Sequence, residues 1–119
     1  MDEEQKAKAL DHFAKLLEEQ SSRVQKMQQD KEWTDYEKLS PIILGICPGD
    51  GIGPMICSAA EDVLKHLLKE EIESGKVEIR NIEGLTIENR AKVKKAIPDD
   101  VLAELKKCHV ILKGPTTTP

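Results

Sequence analysis

The sequence predicts an α/β fold. Residues 41–119 read as a three-strand parallel β-α-β-α-β sheet, and residues 1–40 as an N-terminal helical extension. Two observations carry this. Before Pro41 the chain has no Gly or Pro and is rich in Gln, Lys and Glu; after it, short apolar runs alternate with segments of helical period. Strands separated by helices pair in parallel through right-handed crossovers.

The extension comes first. Leu10, Leu17 and Val24 stand seven apart, and Phe13 and Met27 fall on the interleaved positions with Gln20 between them. This is a heptad-like stripe on a helix from roughly Asp2 to Gln29. So polar a helix must bury its stripe, either on its own domain or on another subunit. Asp30 to Ser40, with Trp33, Tyr36 and Leu39, is expected to be a short helical segment or a docked linker.

Ile42 to Cys47 is apolar apart from Gly45, as in a strand covered on both faces. A glycine turn follows, and Pro54 suits the first turn of a helix. Ile56, Ala60, Val63, Leu64, Leu67, Leu68 and Ile72 then recur at helical spacing until Ser74 and Gly75 end the run. Val77, Ile79 and Ile82 alternate as a second strand. Gly84 turns the chain, Thr86 to Lys95 is helical in character, and Pro98-Asp99-Asp100 opens a helical stretch to Lys107. His109 to Leu112 is the third strand. Three strands leave an unclosed sheet, so at least one edge calls for a neighbour.

Composition excludes several functions. Hydrophobic residues make up 39% and charged residues 34% of the 119, enough for one modest core under a charged surface. One Phe, one Trp and one Tyr, with a net charge of −4, argue against nucleic-acid binding. No apolar run approaches the roughly 20 residues that span a bilayer, and the acidic N-terminus is unlike a secretory signal. Cys47, Cys57 and Cys108, odd in number and irregular in spacing, point to buried thiols in a reducing, cytoplasmic setting. His12, His66 and His109 lack metal-ligand spacing and read as ordinary histidines.

Two segments carry chemistry. Gly49-Asp50-Gly51-Ile52-Gly53 joins a strand to a helix, but its third glycine comes one residue too early for the dinucleotide fingerprint, and no Lys-Ser or Lys-Thr follows for a phosphate loop. Its glycines admit positive φ and close backbone approach, and Asp50 is placed to cap the next helix or the turn itself. A tight turn without a ligand is the alternative. The other segment is Lys113-Gly114-Pro115-Thr116-Thr117-Thr118-Pro119, a cationic, hydroxyl-rich loop after a strand and thus suited to an anion.

Together, Pro48-Gly49-Asp50-Gly51-Ile52-Gly53-Pro54, Gly84-Leu85-Thr86-Ile87-Glu88-Asn89-Arg90 and Lys113 to Pro119 resemble the isocitrate and isopropylmalate dehydrogenases, the metal-dependent β-decarboxylating dehydrogenases. The resemblance runs from about Ile42 to Pro119. The threonine loop favours the isocitrate branch, because the isopropylmalate branch usually has a Gly-Ala-Val-Gly type there. Met55 departs from the family's usual Glu, and residues 1–40 have no counterpart in its short forms.

The resemblance implies oxidation of a 2-hydroxy acid with NAD or NADP and loss of CO2 assisted by Mg or Mn. By position, Thr117 and Thr118 would contact the cofactor and Lys113 the anionic substrate. The family's catalytic Tyr and Lys, metal-binding aspartates and adenosine-binding loops lie beyond Pro119, so no catalytic or metal residue is assigned here. The chain is therefore expected to be the N-terminal part of an isocitrate dehydrogenase, inactive alone and binding no cofactor tightly, with isopropylmalate or homoisocitrate as related substrates. A homo-oligomer is expected, possibly through the N-terminal helix. The contrasting reading is a non-catalytic interaction module, or half of a split enzyme.

Overall fold

The computed structural model describes residues 2–118. Contacts divide the chain into two compact units, Met1–Thr34 and Asp35–Pro119.

The first unit is one helix, α1 (Glu3–Gln29). Asp2 caps it, its carboxylate accepting from the Gln5 N–H at 2.7 Å, and Glu3 and Glu4 complement the positive end of the helix dipole. Glu4–Lys8 and Asp11–Lys15 pair one turn apart, at 2.6 and 2.7 Å, each adding only a few tenths of a kcal/mol (~0.3–0.5). The heptad stripe is present, yet no residue of α1 is buried.

The second unit holds β1 (Ile42–Cys47), α2 (Gly53–Leu67), α3 (Lys69–Glu73), β2 (Val77–Asn81), α4 (Ile87–Val93), α5 (Asp99–Leu105) and β3 (Val110–Lys113). The sheet order is β2-β1-β3 and both pairings are parallel, as the alternation of strands and helices predicts. Ile42 stands opposite Val77, and Leu44 opposite Val110. The central strand ends buried, with Ile46 and Cys47 at 1% exposure.

Successive strand residues face opposite ways. On the Cys47 face, Ile82, Leu85 and Val101 complete a buried cluster flanked by Leu105 and Cys108. Gly45 makes room for this layer, because a Cβ there would stand 2.7 Å from the Cys108 sulfur. On the Ile46 face lies α2, whose Glu61 carboxylate accepts from the Asn81 side chain at 3.5 Å.

Several boundaries differ from expectation. The long helical run to Ile72 is two helices, broken at Leu68, whose backbone (φ −105°, ψ 23°) leaves the helical range. The helix expected to reach Lys95 stops at Val93, where Lys94 adopts the left-handed conformation (φ 54°). Of the two readings of Asp30 to Ser40 the helical one fails, as no helix forms there, and Tyr36 docks by its hydroxyl, which donates to the His109 carbonyl at 3.4 Å. His109 is a packed histidine rather than a surface one. Its ring Nδ1 accepts from the Ile43 N–H at 2.9 Å while its backbone N–H donates to the Ile43 carbonyl at 2.9 Å, extending the β1–β3 ladder. Among the described residues, no helix is long and apolar enough to cross a membrane.

Candidate functional site

In an open parallel sheet, ligands bind beyond the carboxyl ends of the strands, where the chain order reverses. With the order β2-β1-β3, the chain leaves β1 for β2 on one side and then crosses past β1 to β3 on the other, so this point lies between β1 and β3. The glycine turn leaves β1 there, and the threonine loop leaves β3 beside it.

The two loops are in backbone contact. The Asp50 N–H donates to the Pro115 carbonyl and the Gly114 N–H to the Cys47 carbonyl, both at 2.8 Å. Glycine is required on both sides. Gly49 has φ +75°, and a Cβ on it would stand 2.1 Å from the Pro115 oxygen; a Cβ on Gly114 would stand 2.0 Å from the Pro48 oxygen. The glycine turn thus seats another loop of the chain, leaving no phosphate cradle between the two.

Asp50 is the hub. It does not cap the helix that follows it: α2 has no side-chain cap. One carboxylate oxygen accepts from the Ile87 N–H at 2.8 Å, at the start of α4, and the other from the Thr117 N–H at 3.0 Å. Only its carbonyl serves its own turn, accepting from the Gly53 N–H at 2.9 Å. The loops after all three strands therefore meet on one carboxylate. The bonds from Thr117 and then Ile87, helped by the nearby Arg90 and Lys113 charges, hold Asp50 below the usual carboxylate range.

Arg90 closes the arrangement from the other side. Its Nε donates to the Ala96 carbonyl and its Nη1 to the Thr117 carbonyl, both at 2.8 Å. Thr117 is thus gripped by both backbone groups, its N–H by Asp50 and its C=O by Arg90, while the residue itself stays exposed, as does Thr118. The Lys113 ammonium donates to the Gly114 carbonyl at 2.8 Å and the Thr116 hydroxyl at 3.3 Å. That uses two of its three N–H groups. Beside the loop opens a cleft of about 270 Å³, lined mainly by apolar side chains with Arg90, Lys113 and Thr116 among them.

Asp50 and Lys113 therefore stand at one junction with Thr117 and Thr118. Arg90 was not singled out by its sequence context, because its grip on Thr117 spans 27 residues. The cysteines take no part in polar chemistry here: burial pushes the Cys47 and Cys108 thiols up, away from the reactive thiolate. Among the described residues, no three His, Cys, Asp or Glu side chains gather as a metal site.

The family model for isocitrate/isopropylmalate dehydrogenase matches residues 43–119, which is the sheet from the second residue of β1 onward and both loops. The chain belongs to the isocitrate/isopropylmalate dehydrogenase family. The 3-isopropylmalate dehydrogenase of Staphylococcus saprophyticus is 35% identical over 72 residues, which cover 60% of this chain. The chain spans about a fifth of the length of that relative, as the aligned part is 20% of it. No solved structure matches. In this family member the glycine turn and the threonine loop are two halves of one junction, joined by Asp50.

Proposed function

We propose that the protein to which this chain belongs is an NAD(P)-dependent dehydrogenase that oxidises and decarboxylates isocitrate, and that Thr117 and Thr118 face the nicotinamide ribose while Lys113 faces the substrate. The observation that carries this reading is the state of Thr117. Its backbone is held twice and its residue left exposed, so a hydroxyl is presented at a fixed place beyond the strand ends. A fixed hydroxyl can donate to or accept from a sugar hydroxyl or a carboxylate with little ordering cost.

The residues suit such a ligand. The remaining Lys113 N–H offers a charge-assisted bond to an anion, and Arg90 adds a second positive charge at the cleft. The bound cofactor would supply hydride acceptance; the chain's part is to position it and to offset substrate charge. The donors for a divalent metal are not among the described residues, and no step is routed through one.

Isocitrate is favoured over isopropylmalate on charge. Isocitrate carries three carboxylates, whereas isopropylmalate carries two and a branched alkyl group in place of the third. The loop from Lys113 to Thr118 offers an ammonium and three hydroxyls, which suit a carboxylate, whereas the apolar side chains of the neighbouring cleft are what an alkyl group would meet. The relative named for isopropylmalate makes that substrate the competing reading.

The test is reduction of NAD and of NADP by the complete protein, supplied with a divalent metal and either 2-hydroxy acid. The expected result is a kcat/KM for isocitrate at least about tenfold above that for isopropylmalate, the ratio that one charge-assisted contact supplies. Turnover of isopropylmalate alone would overturn the isocitrate assignment, and inertness with both would overturn the function.

A further inference from the structure

The geometry points to Asn89 as a positioning residue for the threonine loop, acting through α4. That placement is independent of the proposed chemistry; its effect on a cofactor rests on the reading of Thr117 given above.

α4 cannot hold its own place. It is seven residues long and has no buried residue, and isolated helices shorter than about 12 residues are marginal. Polar bonds at its first turn seat it instead. Thr86 is its N-cap, the hydroxyl accepting from the Asn89 N–H at 3.3 Å. The Asn89 side chain reaches back, and its Nδ2 donates to the Gly84 carbonyl at 2.9 Å in a half-buried setting. Gly84 is packed against the core. It has φ +97°, and a Cβ on it would stand 3.0 Å from the Val101 side chain. Its neighbour Leu85 is buried in the same cluster as Val101. Asn89 therefore ties the first turn of α4 to a loop that the core fixes.

The same turn of helix carries both ties to the site. The Ile87 N–H donates to one Asp50 oxygen at 2.8 Å, and Asp50 accepts from the Thr117 N–H with the other at 3.0 Å. Arg90 Nη1 donates to the Thr117 carbonyl at 2.8 Å. Thr117 is thus reached from α4 by two routes, one through its N–H and one through its C=O. Both start within two residues of Asn89, so a shift of the first turn loosens both at once. The segment from Gly84 to Arg90 serves the site from behind, setting where the threonine loop stands.

The test is amide hydrogen exchange of the complete protein, wild type beside Asn89→Ala and Asn89→Asp. Both variants lack the donor to Gly84. Alanine has the higher helix propensity and aspartate suits a first helical turn, so neither weakens α4 as a helix. The expected result in both is exchange at the Thr117 amide faster by about 3- to 10-fold, the size of one lost hydrogen bond. The Gly114 amide, which bonds to the Cys47 carbonyl without α4, should keep its rate. The Michaelis constant for NAD or NADP should rise by a similar factor, with kcat held.

Two results would overturn the inference. One is Thr117 exchange equal to that of the wild type in either variant. The other is equal acceleration at Gly114, which would mark Asn89 as a general stabiliser of the fold. Acceleration confined to Thr117 with an unchanged cofactor constant would uphold the role of Asn89 and contradict the cofactor-facing reading of Thr117, so the two fail separately.

Discussion

At the residue scale, Asp50 explains most about the site. A carboxylate that accepts two backbone N–H bonds is stabilised in its charged form, so its native pKa is depressed. The contribution to stability is then fully present above the unfolded-state value of about 3.9, and it is lost as pH falls through the lower native value. The prediction is that Asp50→Asn, which keeps one acceptor oxygen and no charge, melts below the wild type at neutral pH. The two melting curves should converge in the window below about pH 4, as acid protonates Asp50. A gap of constant size across that window would show that Asp50 is not held by these bonds. None of this was legible in sequence. A carboxylate in a strand-to-helix turn ordinarily caps the next helix, and its actual partners, Ile87 and Thr117, lie 37 and 67 residues away. Only the parallel crossovers bring them together.

At the scale of elements, periodicity placed the strands well and left the helix faces open. Ile42 to Cys47 is the observed β1 residue for residue, because an apolar run closed by Pro and Gly admits few other readings. On α2 the apolar residues form two stripes, and the sequence cannot say which one meets the sheet. Cys57 is buried, while Ile56, Val63 and Leu67 are exposed. Exposure decides what each side chain is worth. Ile46→Ala should destabilise the chain by about 2–5 kcal/mol, whereas Leu67→Ala, at 69% exposure, should change it by no more than about 0.5 kcal/mol. Urea denaturation of both variants checks this. Equal effects would mean that the α2 stripe is assigned to the wrong side.

At the scale of the whole molecule, the three-strand sheet shows why the site sits where it does. Placing β1 between β2 and β3 makes the chain step to one side of β1 and then cross to the other, and leaves one point where the loops after β1 and β3 emerge together. The glycine turn failed the dinucleotide fingerprint because its glycines accommodate the Pro48 and Pro115 backbones. The motif resemblance located these loops in sequence, and the topology accounts for their contact. The exposed sides of β3, where Val110 and Ile111 are 43% and 47% exposed, leave that edge of the sheet open to a neighbour.

The central claim is that the threonine loop is a cofactor-facing element held in place from behind by Asp50 and Arg90. Its most direct test is the Michaelis constant for NAD or NADP of the complete protein carrying Thr117→Val. That change removes the hydroxyl while keeping the side-chain shape, and it leaves both backbone bonds of Thr117 in place. The account predicts a rise of about 3- to 10-fold in the cofactor constant, an unchanged constant for the 2-hydroxy acid, and recovery in Thr117→Ser. A cofactor constant equal to that of the wild type would contradict it.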